Sequence, residues 1–304
     1  MLAQKENNVK VEGILSEIDL KYIDFQKNGQ SRRAISGSVK IRVDQNIAGE
    51  DKVSEVPVYV FASELKNDGT KNQIFTSWED VMKKWVSIAA GGIDAADRVR
   101  VTNGRIEMNE YYGQNGQLVA FPRISTSFIN KVRKDDCKPK AEFSVIFAVG
   151  QKGFRTDRDG VETDQYVVQG IIPRYSGQVD VVEFVASNEN VASAMSNYWN
   201  DGDTVKASGR LNFTSRTEVT SVPVDFGEPQ ETTRTINISE LIITGGSSTP
   251  LEGDMAFDVD DIEAALVERQ TRLAQLKEKS QNRTDSKPAQ KASAPASRLS
   301  GFGF

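Results

Sequence analysis

Aromatic and basic residues are interleaved in two short segments of the first half of the sequence. Together they comprise Lys21, Tyr22, Phe25, Lys27, Arg32 and Arg33 in the first segment and Tyr111, Tyr112, Phe121 and Arg123 in the second. Unpaired bases stack on aromatic rings while cations bind the phosphates, so this combination is typical of surfaces that hold single-stranded nucleic acid. Any one of these side chains could instead cover the edge of a core or lie in solvent. As a cluster they favour a binding surface.

The composition argues against covalent catalysis. The chain has no histidine, which removes the commonest general base and metal ligand. Its single cysteine, Cys137, can form neither an internal disulfide nor a cysteine-rich zinc site. The aspartates at 201 and 203 and at 258, 260 and 261 could in principle bind Mg²⁺ for a nuclease, but turn formation and helix capping explain them without a metal. We therefore expect no enzymatic activity, no cofactor and no metal ion.

The charge is distributed unevenly. The net charge is -5, yet residues 1–140 hold 22 Lys and Arg against 19 Asp and Glu, whereas residues 141–246 hold 8 against 15. An anionic ligand should therefore prefer the first part of the chain. The second part offers Lys152, Phe154 and Arg155, followed by Arg174 and Tyr175. These could extend a nucleic-acid surface weakly, but the acidity of this part suits a protein partner as well.

Strand signals dominate the first 246 residues. Between Ala34 and Asp44, apolar side chains at Ile35, Val39, Ile41 and Val43 alternate with polar ones. This period of two is typical of a strand with one buried face and one exposed face. The exposed face would carry Lys40 and Arg42.

The two halves of this region repeat one another. Val58–Ser63 resembles Val182–Ser187, and each is followed by a helical pattern, at 77–88 and 188–199. Each half opens with a strand hairpin, at 9–43 and 141–175, and closes with another, at 98–129 and 204–244. Three strands, a helix and two strands is the order of an OB-fold, a five-stranded Greek-key barrel. We predict a mostly β protein with two tandem OB-like barrels, at 1–140 and 141–246, followed by a tail at 247–304.

A second repeated motif indicates a family. Asp97-Arg-Val-Arg-Val-Thr-Asn-Gly-Arg-Ile106 is echoed by Asp203-Thr-Val-Lys-Ala-Ser-Gly-Arg-Leu211. The two halves resemble the OB-folds of single-stranded DNA-binding proteins, particularly the phage type with a flexible tail. That resemblance implies binding of single-stranded DNA with little sequence specificity, in DNA replication or recombination. It places the two aromatic and basic hairpins beside a ligand face that also holds Lys40, Arg42 and Tyr59. Because OB-folds also bind proteins, an adaptor in a phage, transcription or replication assembly remains the alternative.

The tail has a different composition. An acidic first turn and a basic second half predict a helix at about 258–279. It could fold back on the barrels, dimerise or dock a partner. Residues 281–300 are rich in Ser, Ala, Pro, Lys and Gln and predict disorder. Phe302 and Phe304 resemble the aromatic terminus with which single-stranded DNA-binding proteins dock replication or recombination partners; an ordinary disordered end is the alternative.

Targeting signals are missing from the sequence. The first residues lack an apolar signal core, and no stretch approaches the roughly 18 apolar residues of a membrane span. We expect a cytoplasmic protein that makes no membrane contact, located in the host cytoplasm if it is phage-encoded.

Overall fold

The structure, a computed structural model, describes residues 2–27, 29–47, 49–113, 115–156, 160–222 and 230–285. Its first barrel is built from five strands: β1 (Asn7–Lys27), β2 (Gln30–Ile47), β3 (Glu50–Ser63), β4 (Arg98–Tyr112) and β5 (Leu118–Ser125). They pair in the order β1-β2-β3-β5-β4, and β4 pairs back with β1 to close the barrel. The β3–β5 pairing is parallel and all the others are antiparallel. This is the strand order of an OB-fold.

Two helices connect β3 to β4, namely α1 (Gln73–Lys84) and α2 (Ile88–Ala95). The sequence predicted one helix at 77–88. The structure begins α1 earlier because the side chain of Asn72 accepts a hydrogen bond from the backbone N–H of Ile74 and caps the helix. Trp78 on α1 is buried against the barrel core.

The second barrel repeats this order. Between the barrels, a short strand β6 (Asn130–Val132) pairs with β4. The elements of the second barrel are β7 (Lys140–Thr156), β8 (Glu162–Pro173), β9 (Val179–Ala186), α3 (Glu189–Tyr198), β10 (Thr204–Val222) and β11 (Gln230–Gly246). β9 pairs in parallel with β11, and β10 pairs back with β7. The prediction of two tandem OB-like barrels is confirmed. The helix predicted at 188–199 is also confirmed, with Asn188 as its N-cap.

The barrels share one sheet and one core. The first six residues of β1, Asn7–Glu12, pair antiparallel with Val145–Lys140 of β7, so that the eleven strands are continuous. The predicted inward side chains of β2 are fully buried: Ile35, Val39, Ile41 and Val43. Within the second barrel, Phe147 of β7 stacks on Phe184 of β9 with ring centroids 5.0 Å apart.

A bulge in β1 decides which side chains of the first hairpin face outward. The register with β2 shifts between Leu15 and Glu17. Leu15, at an odd position, is buried, whereas beyond the bulge Leu20 packs on the core. One extra residue reverses the facing of every later side chain. Lys21 and Phe25 therefore lie on the outer face.

The C-terminal helix α4 (Val259–Asp285) folds back on the body. Its Ile262 and Ala265 are buried in a small cluster with Phe257. The predicted helix is confirmed and continues to Asp285, beyond its predicted end near 279. Residues 286–300 of the segment predicted to be disordered lie outside the described residues. Phe302 and Phe304 lie outside the described residues. None of the helices in the described ranges is long and apolar enough to cross a membrane.

Candidate nucleic-acid interface

The outer face of the first barrel forms a cleft across its strands. Lys21 on β1 lies opposite Ser36 on β2, which in turn lies opposite Phe61 on β3. Two residues earlier on β3, Tyr59 neighbours Ser125 of β5, which pairs with Arg105 of β4. Strand pairing thus aligns side chains from all five strands on one surface.

This first cleft has a volume of about 710 Å³ and a mixed lining. The charged residues in its lining are Lys21, Arg105, Arg123, Asp19 and Glu107, and its rings are Tyr59 and Phe61. Three cations against two acids leave a small positive excess. The rest of the lining is mainly small or polar, which leaves room for a flat ligand beside the rings.

Aromatic rings are exposed along the same face. The side chain of Phe61 is 58% exposed, and the ring of Phe25 lies edge-on to it with centroids 5.2 Å apart. On the β4–β5 hairpin, Tyr111 is 47% exposed and its ring contacts that of Phe121 at 6.5 Å. Tyr111 lies an even number of residues from Arg105 on β4, and Phe121 lies two residues from Arg123 on β5, so all four side chains are on the same face of the sheet. The two rings extend the aromatic surface beyond the first cleft.

The cations of the first cleft differ in how strongly they are neutralised. Arg123 lies 3.1 Å from Glu107 and 5.9 Å from the ring centroid of Tyr59. Lys21 forms no ion pair with any residue that the structure describes. A phosphate in the cleft would therefore meet at least one cation that is not already paired.

Two predicted cations lie on the same strand face outside the first cleft, and both are paired. Lys40 contacts Glu17 at 2.6 Å, and Arg42 contacts Asp44 at 3.1 Å. The hydrogen bond from Lys40 to Glu17 raises the pKa of Lys40. Neither side chain lines the cleft.

Tyr22 lies on the opposite side of β1 from the first cleft. Its hydroxyl donates a hydrogen bond to Glu79 of α1 at 2.5 Å, and this contact raises the pKa of Tyr22. Its ring lies 6.1 Å from that of Phe75, and the Arg33 guanidinium lies 3.8 Å from its centroid. Tyr22 and Arg33 therefore bind the helix to the barrel.

The remaining predicted residues of the first barrel contact neighbouring loops or the back of a hairpin. Lys27 donates to the side chain of Asn67 at 2.6 Å, and Arg32 donates to the carbonyl of Lys66 at 3.3 Å. Tyr112 follows Tyr111 directly in β4, so its side chain lies on the opposite face of the sheet. Its carbonyl accepts a hydrogen bond from Ser280 of α4 at 3.5 Å.

The three predicted residues of the second barrel are separated from the first cleft. Lys152 donates to the carbonyls of Ser196 and Trp199 and so caps the C-terminal end of α3. Phe154 lies edge-on to Tyr166 at 5.4 Å. Arg155 is held by two carboxylates.

A second outer cleft, of about 670 Å³, is lined mainly by the second barrel, together with Ile47 and Lys52 of the first barrel. Its charged lining residues are Lys52, Asp164, Glu189 and Glu240. Next to it, Arg155 pairs with Glu183 at 2.7 Å and with Glu240 at 2.9 Å. This second cleft is therefore acidic, and its nearby arginine is already neutralised.

Two residues of the first cleft, Phe61 and Arg105, are not among the residues predicted from the sequence. Signals for both were available. Phe61 follows Tyr59 by two residues in a strand and so shares its face. Arg105 lies in the repeated Gly-Arg motif, whose second copy is Gly209-Arg210.

The aspartates considered for metal binding stabilise local structure. Asp203 accepts a hydrogen bond from the backbone N–H of Asn200 at 2.7 Å, and Asp258 accepts one from that of Asp261 at 3.2 Å. Within the described residues, no group of three or more carboxylate or thiol side chains is arranged to hold a metal ion.

Comparison with known proteins places the chain in a family. A family model described as YorF matches residues 5–279. The chain belongs to the YorF family. No curated protein matches it.

Solved structures resemble the YorF-family protein at low identity. The wild-type single-stranded DNA-binding protein from Thermus aquaticus has a TM-score of 0.48 and 12% identity, covering 85% of this chain and 99% of the other. A deletion mutant of that protein has a TM-score of 0.44 and 12% identity, with coverage of 82% and 97%. A Replication Protein A heterotrimer bound to ssDNA has a TM-score of 0.23 and 8% identity, with coverage of 88% and 53%. These likenesses concern the fold alone.

Proposed function

We propose that the YorF-family protein binds single-stranded DNA through the outer face of its first barrel. The observation that carries the proposal is the first cleft, where Tyr59 and Phe61 lie among Lys21, Arg105 and Arg123. Each base stacked on such a ring contributes about 1 to 3 kcal/mol, and the cations attract the phosphates. This is binding chemistry without a bond-breaking step.

Binding through this surface would show little sequence preference. Every base has a ring face that stacks on an aromatic side chain, whereas base discrimination needs hydrogen-bonding groups directed at base edges. Among the described residues lining the first cleft, Asn103 is the one with a side-chain amide. Such a surface suits a protein that coats exposed strands.

A coating protein of this kind would act as an accessory factor in DNA replication or recombination, in the host cytoplasm if it is phage-encoded. Its tail, which ends in Phe302 and Phe304, would recruit other proteins of the same process.

The test is fluorescence anisotropy of a labelled mixed-sequence 30-mer, single-stranded against duplex, over a salt series. We expect binding to the single strand with a slope of log affinity against log salt near -2, from about -0.7 for each of three phosphate contacts. Equal affinity for the duplex, or no binding at low salt, would refute the proposal. An RNA 30-mer of the same sequence tells whether the sugar matters.

A second candidate function is protein recognition by the acidic second cleft. Glu189 and Glu240 in its lining would attract a basic partner. A pull-down from nuclease-treated lysate with the full chain and with a Glu189→Lys variant tests this function. A partner that only the parent chain captures would favour it, particularly if oligonucleotides fail to bind.

A further inference from the structure

One exposed aromatic ring of the second barrel lies beside the first cleft. Tyr175 is in the turn between β8 and β9, and its side chain is 73% exposed. Its ring centroid is 4.6 Å from the guanidinium of Arg105, which lines the first cleft. The aromatic surface of the first barrel therefore has a neighbour on the other barrel.

The turn that carries Tyr175 is anchored on the first barrel. Arg174 donates a hydrogen bond to the carbonyl of Met108 on β4 at 3.0 Å. The same guanidinium pairs at 2.5 Å with Asp180, whose side chain is fully buried. A buried carboxylate stays charged only when it is paired, so the ion pair fixes Arg174 in place.

The C-terminal helix holds the other end of the turn. Arg272 of α4 donates to the side-chain oxygen of Gln178 at 3.2 Å. Within the turn, the backbone N–H of Arg174 donates to the carbonyl of Gln178 at 2.7 Å. The position of Tyr175 is thus set by β4, by the buried Asp180 and by α4.

The ring of Tyr175 buries little apolar surface against its own barrel, although the turn that carries it is anchored. A tyrosine usually buries much of its ring, because this removes apolar surface from water. Tyr175 leaves most of that surface free, and its described side-chain contact is with a cation of the first cleft. A ring presented in this way next to a cation offers a stacking site for a base whose phosphate the cation binds.

We propose that a single strand bound in the first cleft continues past Arg105 and stacks a base on Tyr175. The second barrel then contributes to nucleic-acid binding through its β8–β9 turn rather than through its own acidic cleft. This inference rests on the proposed function, since it concerns the path of the same ligand.

The test measures affinity for labelled oligothymidylates of about 4 to 30 nucleotides, using the full-length chain and its variants. Tyr175→Ala should weaken binding of long oligonucleotides about 5- to 150-fold, the range expected for one lost stack. It should leave the shortest bound oligonucleotide nearly unaffected, because that strand is held within the first cleft. Tyr175→Phe keeps the ring and should bind like the parent chain.

Tyr198→Ala is the matched control, since Tyr198 is a 53% exposed tyrosine on α3. Circular dichroism melting of every variant checks that the fold is intact. Covalent capture of a 5-bromouracil oligonucleotide on Tyr175 by ultraviolet light, located by mass spectrometry, gives an independent readout.

Three results would overturn the inference. They are unchanged binding by Tyr175→Ala at all lengths, an equal loss at every length, or an equal loss in Tyr175→Phe. If Tyr59→Ala still weakens binding in those cases, the proposed function stands without the extended path. If the parent chain binds no oligonucleotide at all, the proposed function itself fails.

Discussion

The third strand of the first barrel presents Tyr59 and Phe61 to its outer cleft, whereas the repeat places Glu183 and Val185 at the corresponding positions of the second barrel. The β4–β5 and β10–β11 hairpins, which close the two barrels, also differ in the charge of their side chains. Arg105 pairs with Ser125, and Arg123 follows two residues away toward the hairpin tip.

In the second barrel, Arg210 pairs with Ile242, and the position equivalent to Arg123 is Glu240. A cation that neighbours a tyrosine ring in one barrel is thus replaced by a carboxylate that neutralises Arg155 in the other. Both barrels keep the same strand order, and the residues that line their two outer clefts have net charges of opposite sign. The fold positions a surface, but the side chains on that surface decide what it binds.

Removing the two rings of the first cleft should produce the largest effect. The double variant Tyr59→Ala/Phe61→Ala loses two stacking surfaces, so we expect single-strand affinity to fall by about 3 kcal/mol, roughly a hundredfold. Fluorescence anisotropy at low salt measures it. The salt slope should stay unchanged because no cation is removed.

The control for that variant is Glu183→Ala on the second barrel, at the position that the repeat matches to Tyr59. We expect this change to leave binding unchanged or slightly stronger, because it removes an acid. If the double variant and Glu183→Ala lose affinity equally, the two clefts do not differ in function and the comparison fails.

Reversing one charge in each barrel should give effects of opposite sign. Arg123→Glu places a second carboxylate beside that of Glu107, and we expect at least about a tenfold loss of affinity at low salt that shrinks as salt screens the charges. Glu240→Lys should leave affinity unchanged or raise it. Weaker binding by Glu240→Lys in a folded variant would mean that the second cleft also takes part in binding.

The strand order was predictable from local patterns, because alternation and the repeat are visible in the sequence. Which side chains of the first hairpin face outward was not predictable, because the bulge between Leu15 and Glu17 reverses the alternation. Counting from Leu15 without that bulge puts Tyr22 outside and Phe25 inside. The pairing of Lys40 with Glu17 and the contact of Tyr175 with Arg105 depend on tertiary positions that no local pattern contains.

Two lysines on the outer face of the first barrel should differ in their contribution to salt dependence. Lys21 lines the first cleft, whereas Lys40 is held 2.6 Å from Glu17 outside it. Lys21→Gln should make the slope of log affinity against log salt shallower by about 0.7, as expected for one lost phosphate contact. Lys40→Gln should leave the slope unchanged, and a titration at four salt concentrations distinguishes the two. Equal slopes in both variants would remove Lys21 from the interface.

The smallest effect on binding is expected at the back of the β4–β5 hairpin. Glu110, whose side chain is 4% exposed, pairs there with Arg269 and Arg272 of α4. Glu110→Gln leaves both guanidiniums without their carboxylate, so we expect a stability loss of about 1 to 3 kcal/mol in thermal or urea unfolding. Affinity should fall by about two- to threefold, because the hairpin that carries Tyr111 and Phe121 on its other face is held less rigidly.

A buried carboxylate elsewhere in the same barrel separates positioning of the hairpin from general destabilisation. Glu12 is 2% exposed and accepts two hydrogen bonds of 2.8 Å from Arg100, away from the hairpin. Glu12→Gln should cost comparable stability, yet it should leave oligonucleotide affinity unchanged. If it weakens binding as much as Glu110→Gln does, α4 stabilises the fold of the first barrel without positioning its binding hairpin.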